Sequence, residues 1–173
     1  MEVGIIDNFL APQQFIELKQ NIIFNKNLKL EAVGNVDQDP LKEMQKDHWS
    51  CWSWYLIHMV YCEDSPQSDV FGPLYNTFIP RFKTLNIFKS LIRMKINAYP
   101  YTEEVHEHNN HTDYSFKHNA AVFSLNTCDG YTKLKNGRKI ESVANRLLLF
   151  DASKEHCSTT TSNAKLRYNI NFN

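Results

Sequence analysis

No charge of one sign dominates this sequence of 173 residues: Lys and Arg total 19, Asp and Glu total 19, and the formal net charge is +0. The totals lack the electrostatic footprint of a nucleic-acid binder or of a protein held to an anionic membrane, so neither partner is expected. No apolar run is long enough to cross a bilayer. The start, Met1-Glu2-Val3-Gly4-Ile5-Ile6-Asp7, has no basic stretch followed by an apolar one, and no signal peptide is expected. The four cysteines, Cys51, Cys62, Cys128 and Cys157, contain no CxxC pair. Without an export signal they are expected to be reduced thiols. No repeat, low-complexity tract or linker interrupts the chain. These absences point to a soluble cytoplasmic protein, one domain over residues 1–173. Hydrophobic residues make up 42% of it, enough for a real core. Oligomeric state is not legible.

What is present divides into two parts. Residues 1–89 read as support. Val3 to Ile6 is a short strand. Pro12 at a first helical position, with Phe15, Leu18 and Ile22 recurring on one face, predicts an amphipathic helix over residues 12 to 24. Residues 25 to 47 are polar and read as loop. His48 to Tyr61 holds all three tryptophans, and the alternation of Trp52, Trp54 and Leu56 predicts a strand, packed in the core or walling a cleft. Phe71, Leu74, Tyr75, Phe78 and Phe82 predict a second helix, with Pro73 in its first turn and Pro80 kinking or shortening it.

Residues 90–173 change character. From Leu91, Arg93, Lys95 and Asn97 alternate with Ile92, Met94, Ile96 and Ala98, a strand with one apolar face. Residues 102 to 110 are a polar loop. Asn119 to Asn126 is another strand. Asn136-Gly137, the strongest short turn signal, joins two strands into a hairpin. Arg146 to Asp151 reads as a central strand and Arg167 to Phe172 as the last. Two helices followed by many short antiparallel strands predict a mainly β fold, a sandwich or barrel.

One constellation carries chemistry. In His111-Thr112-Asp113, residues i and i+2 point the same way if they lie on a strand end. His156 follows the apolar run Arg146 to Asp151 and supplies a third donor. Two imidazoles and a carboxylate are a set that holds non-haem iron(II) on one face and leaves other positions open. Arg167 on the last strand reads by itself as a solvated side chain. Beside those donors it reads as a fork that grips a small carboxylate. His106, His108 and His118 crowd the same stretch as alternative ligands or as solvated loop residues. Cys157, next to His156, reads as a small buried residue rather than a metal thiolate.

Taken together, His111-x-Asp113, the Leu125-Asn126 strand end with Asp129-Gly130-Tyr131-Thr132, Leu147-Leu148-Leu149-Phe150, His156 and Arg167 resemble the iron(II)- and 2-oxoglutarate-dependent dioxygenases. The resemblance is in particular to the prolyl-hydroxylase-like branch and its short phage-encoded members. Asp7-Asn8-Phe9-Leu10 also looks like that branch's N-terminus. The gaps match too: 42 residues separate Asp113 from His156, and ten separate His156 from Arg167. The likeness covers residues 90 to 173 best and is thinner before them.

The resemblance implies a double-stranded β-helix, the cupin-like jelly roll, with the metal between its two sheets. It implies iron(II) on His111, Asp113 and His156, and the far carboxylate of 2-oxoglutarate on Arg167. With O2 as the other reactant, 2-oxoglutarate would be decarboxylated to succinate as a substrate C–H bond is hydroxylated. The substrate is unidentified; a prolyl or other protein side chain fits the branch. Asp113 favours hydroxylation, because the related halogenases lack that carboxylate. Four positions depart from the pattern. Asn169 stands where the family often has Ser or Thr, with Asn171 on the same strand face. Ser124 stands where prolyl hydroxylases place a Tyr that touches the cosubstrate, and Tyr99 is a candidate to line the pocket instead. Asp129-Gly130 replaces Gly-Gly, and Asn145 replaces a Gly. Substrate loops are expected at residues 25–60 and 100–119. The alternatives are a non-catalytic jelly-roll binding module and another cupin-type metal enzyme using His106 or His108.

Overall fold

The computed structural model describes residues 3–34, 54–87 and 89–173. The elements run β1 (Gly4–Ile6), α1 (Pro12–Ile23), β2 (Glu31–Gly34), β3 (Trp54–Cys62), β4 (Ser65–Pro66), α2 (Phe71–Thr84), β5 (Met94–Pro100), β6 (Asn119–Ser124), β7 (Tyr131–Leu134), β8 (Lys139–Glu141), β9 (Arg146–Asp151), β10 (His156–Cys157) and β11 (Leu166–Phe172). They form an eight-stranded sheet ordered β1-β9-β6-β11-β5-β3-β2, with β4 paired to β3, and a three-stranded sheet ordered β10-β7-β8. Every pairing between these strands is antiparallel.

Period-two alternation decides what each face of the large sheet meets. Met94, Ile96, Ala121, Phe123, Leu147, Leu149, Ile170 and Phe172 face one core with Leu18 and Ile22 of α1 and Leu74, Phe78, Ile79 and Phe82 of α2. The intervening residues Ala120, Val122, Leu148 and Phe150 face a second, smaller core with Leu134 and Ile140 of the small sheet. The central strands are therefore covered on both sides. Phe123 joins the layers: Phe9, Phe15 and Phe78 pack edge-on around it at 5.0–6.1 Å between ring centroids.

The helices and most strands lie where the periodicity put them. Pro80 neither ends nor shortens α2, which runs on to Thr84. Phe78, Ile79 and Phe82 bury on both sides of it, and that packing outweighs the missing N–H. The loop expected over residues 25 to 47 contains β2, an edge strand paired to Trp54–Ile57. An edge strand with Glu31 and Ala32 exposed carries no alternation to read. Trp49, Trp52 and Cys51 lie outside the described residues, while Trp54 begins β3. The hairpin turns at Asn136-Gly137, with Gly137 at φ 82 and its N–H donating to the Leu134 carbonyl at 2.8 Å. Cys62, Cys128 and Cys157 are free. Among the described residues no helix is long and apolar enough to cross a membrane.

Candidate metal centre

The second face of β5 and β11 is polar and yet buried: Lys95, Asn97 and Tyr99 on β5, Arg167, Asn169 and Asn171 on β11. Register pairs Arg167 with Tyr99, Asn169 with Asn97 and Asn171 with Lys95. A buried polar face needs partners or a ligand. Most of it lines a narrow cavity of about 40 Å3 between the two sheets, closed by Tyr55, His108, Thr132, Phe150, Cys157 and Ser158 and reached by His111 and His156.

His111, Asp113 and His156 come together at one end. One donor atom from each lies within 4.8 Å of the others, and among the described residues no other His, Cys, Asp and Glu side chains group this way. His111 and Asp113 do not sit on a strand end as expected. Residues 102–118 make only single bridges, of which His111 with His156 is one. The two residues exchange both backbone hydrogen bonds, at 2.9 and 3.0 Å. That bridge, rather than strand alternation, brings the imidazoles to 4.6 Å between centroids. The run His108-Asn109-Asn110-His111 has no apolar alternation with which to enter a sheet.

The surroundings orient each donor. His156 Nδ1 lies 3.0 Å from the Lys154 carbonyl and His111 Nδ1 lies 3.3 Å from that of Asn109. Each Nδ1 therefore carries the proton and each Nε2 is left as a donor to a metal. Burial pulls the His156 imidazole below its ordinary range, aided by His111, and so favours the neutral ring a metal needs. Asp113 accepts from Arg93 Nη2 at 2.7 Å and from Asn173 Nδ2 at 3.0 Å. Burial opposes its ionisation, but Arg93, Lys95 and His156 outweigh burial and hold the carboxyl below the usual range.

Arg167 is 1% exposed, the largest fully buried side chain of the described residues. It makes no ion pair there. Nη1 donates to Ser158 Oγ at 2.7 Å and to the Thr159 carbonyl at 3.2 Å, and Nη2 to Thr132 Oγ1 at 3.2 Å. Its Nε has no partner, and the guanidinium lies 5.1 Å from the Tyr99 ring centroid. Gly130 makes room for it: a Cβ there would sit 2.7 Å from Arg167 Cδ and 2.6 Å from the Thr160 carbonyl oxygen. Desolvation pulls the guanidinium's affinity for its proton down. Among the described residues only neutral groups hold this buried cation, so nothing there offsets the cost of its desolvation.

Of the other residues singled out in the sequence, Tyr99, Asn169 and Asn171 line the cavity, and Ser124 does not. Ser124 is buried beside Asn169 in the register. His108 packs tilted against Tyr55 and Tyr99, and His106 lies 3.9 Å from Glu104; neither joins the donor cluster. Sequence reasoning missed Arg93, Lys95, Asn97, Thr132, Ser158 and Asn173. The phase of β5 could have found three of them, since Arg93, Lys95 and Asn97 share a face with Tyr99.

Three solved structures illustrate the architecture. An oxidoreductase of the 2OG-Fe(II) oxygenase family from Burkholderia pseudomallei superposes at TM-score 0.64 with 14% identity, covering 98% of this chain and 83% of that one. The viral collagen prolyl hydroxylase of Paramecium Bursaria Chlorella virus-1, in its 2OG complex, gives 0.59 with 11% identity over 99% and 94%. A prolyl hydroxylase from Trichoplax adhaerens, in complex with a hypoxia inducible factor peptide fragment, gives 0.59 with 16% identity over 98% and 81%. The fold is that of the 2OG-Fe(II) oxygenases, a double-stranded β-helix. No family model and no curated protein matches the chain. Within this fold, His111 and His156 of the donor cluster reach the cavity between the sheets, and Arg167, though not part of its lining, bonds to Thr132 and Ser158 that are.

Proposed function

We propose that this protein is an iron(II)- and 2-oxoglutarate-dependent oxygenase that hydroxylates a prolyl or other protein side chain. The observation that carries the reading is the pairing of a convergent His111, Asp113 and His156 with a fully buried Arg167 that has no counter-ion among the described residues. The donor set fits iron(II): two neutral imidazoles and one carboxylate, each with its outer atom already fixed. Iron(II) with O2 and 2-oxoglutarate would supply the oxidising power for C–H hydroxylation, with succinate and carbon dioxide as the other products.

The chain's own side chains do the rest. Arg93 and Asn173 hold Asp113 ionised and pointed inward. The Lys154 and Asn109 carbonyls fix the imidazole tautomers. Arg167 takes the far carboxylate, its fork oriented by Ser158, Thr159 and Thr132. Tyr55, Tyr99 and Phe150 exclude water from the cavity walls. The two relatives named as prolyl hydroxylases, one with a bound peptide fragment, support a protein side chain as substrate.

The test is iron-dependent conversion of 2-oxoglutarate to succinate. His111→Ala abolishes it while circular dichroism stays as in wild type. Turnover that survives in this variant refutes the ligand assignment. Wild type that neither binds Fe(II) nor melts higher with 2-oxoglutarate refutes the enzyme and leaves a binding module.

A further inference from the structure

The cavity wall holds a second cation, whose part in the oxygenase reading so far is only to help hold Asp113 ionised. Lys95 is 9% exposed and lines the cavity between Asn97 and the metal-binding end. It makes no ion pair or hydrogen bond among the described residues. Its Nζ lies 5.7 Å from the centroid of Tyr55. The nearby carboxylate, Asp113, is already paired by Arg93 at 2.7 Å. Desolvation, with Arg93 adding repulsion, lowers the amine to about 8. A largely desolvated ammonium that makes no hydrogen bond is costly, and a carboxylate entering the cavity would offset that cost.

We propose that Lys95 is a second carboxylate-binding position in this cavity, distinct from Arg167. It deepens the oxygenase reading and rests on it for what enters the cavity. Register separates the two positions. Arg167 lies beside Tyr99 on β5, and Lys95 is four residues further along that strand, roughly 13 Å away at the usual strand rise. The two cations sit against different rings of the stacked Tyr55–Tyr99 pair, Nζ 5.7 Å from Tyr55 and the guanidinium 5.1 Å from Tyr99. Two sources bring the same chemistry to Lys95: the metal-end carboxylate of a 2-oxo acid, or an acidic group on the primary substrate.

The experiment compares wild type with Lys95→Met, a near-isosteric change that removes a desolvated charge, and with Lys95→Gln as a second variant. Binding is read as the ligand-induced shift in melting temperature, in metal-free and in Mn(II)-loaded protein. The probes are 2-oxoglutarate and 2-oxopentanoate, which keeps the chelating end and lacks the far carboxylate. With 2-oxoglutarate present, N-acetylaspartate amide is set against N-acetylasparagine amide. If the 2-oxo acid supplies the carboxylate, both 2-oxo acids bind about tenfold more weakly to the variants, a loss typical of one charge-assisted contact. If the substrate supplies it, the 2-oxo acids bind as to wild type, and the preference for the aspartate probe over its neutral partner disappears. Either result supports the proposal. Variants that bind every probe as wild type does, or a wild type that takes up no carboxylate, overturn it. Failure of the oxygenase reading shows separately, as wild type that binds no Mn(II). The metal-free arm then still decides Lys95: carboxylate binding lost in the variants supports it, and equal binding refutes it.

Discussion

At the residue scale, two departures from the family pattern have physical roles here. Asn145 stands at φ 64, in the left-handed region where Asn is among the few side chains tolerated. Its Oδ1 accepts from Leu10 N–H at 2.9 Å and its Nδ2 donates to the Leu10 carbonyl at 2.8 Å. Its own carbonyl accepts from Phe9 N–H at 3.0 Å. Asn145 thereby ties the segment before α1 to the start of β9, a job a glycine could not do. Asn145→Ala loses two buried hydrogen bonds and keeps the strained backbone. It is expected to cost about 2–4 kcal/mol in denaturant unfolding. Asn145→Gly relieves the strain and costs less; if the two are equal, the side-chain bonds carry the whole effect. Asp129 likewise anchors the Thr161-Ser162 turn through both carboxylate oxygens.

Within elements, α2 shows packing overriding propensity. Pro80 is exposed in mid-helix. Pro80→Ala restores a donor and removes a ring clash worth about 3 kcal/mol, while loosening the unfolded chain by up to about 1 kcal/mol. The expected net gain is about 2 kcal/mol, seen as a higher melting temperature. A fall would mean that the proline's restriction of the unfolded chain outweighs the donor it removes. The alternation that buries Met94 and Ile96 of β5 against the helices turns Lys95, Asn97 and Tyr99, with Arg93 just before the strand, toward the site. One strand therefore serves core and chemistry at once.

For the molecule as a whole, the helices act as a lid on the back of the site sheet. Phe123→Ala opens a hole among Phe9, Phe15 and Phe78 and is expected to cost about 3–5 kcal/mol. Equilibrium unfolding followed by two probes checks it. Acid has a defined effect. Hydrogen bonds from Lys133 and Tyr131 hold Glu107 at about 2, a hydrogen bond from Arg146 lowers Asp7, and one from Ser153 lowers Asp151. A carboxyl depressed in the folded state stabilises it above the unfolded value, and that contribution is lost as pH falls through the folded one. Melting temperature should therefore fall as pH drops from about 4.5 toward about 2. A flat profile there would contradict the depressed values. Glu107→Gln should flatten part of the slope.

The sequence by itself determined the mainly β fold, both helices, the hairpin and the alternating phase of the last strand, because period and turn chemistry are local properties of the chain. It also singled out His111, Asp113, His156 and Arg167, since their residue types and order are written along it. Only the tertiary structure decided how they meet. The His111–His156 backbone bridge replaced a strand end, β2 appeared in a polar stretch, and Ser124 fell outside the cavity lining. It also revealed that Arg93 and Asn173 grip Asp113 and that the polar face of β5 is buried. A strand's periodicity says which residues share a side, but not whether that side meets water, and only the packing of the small sheet shows that Lys95 and Arg167 are buried rather than solvated.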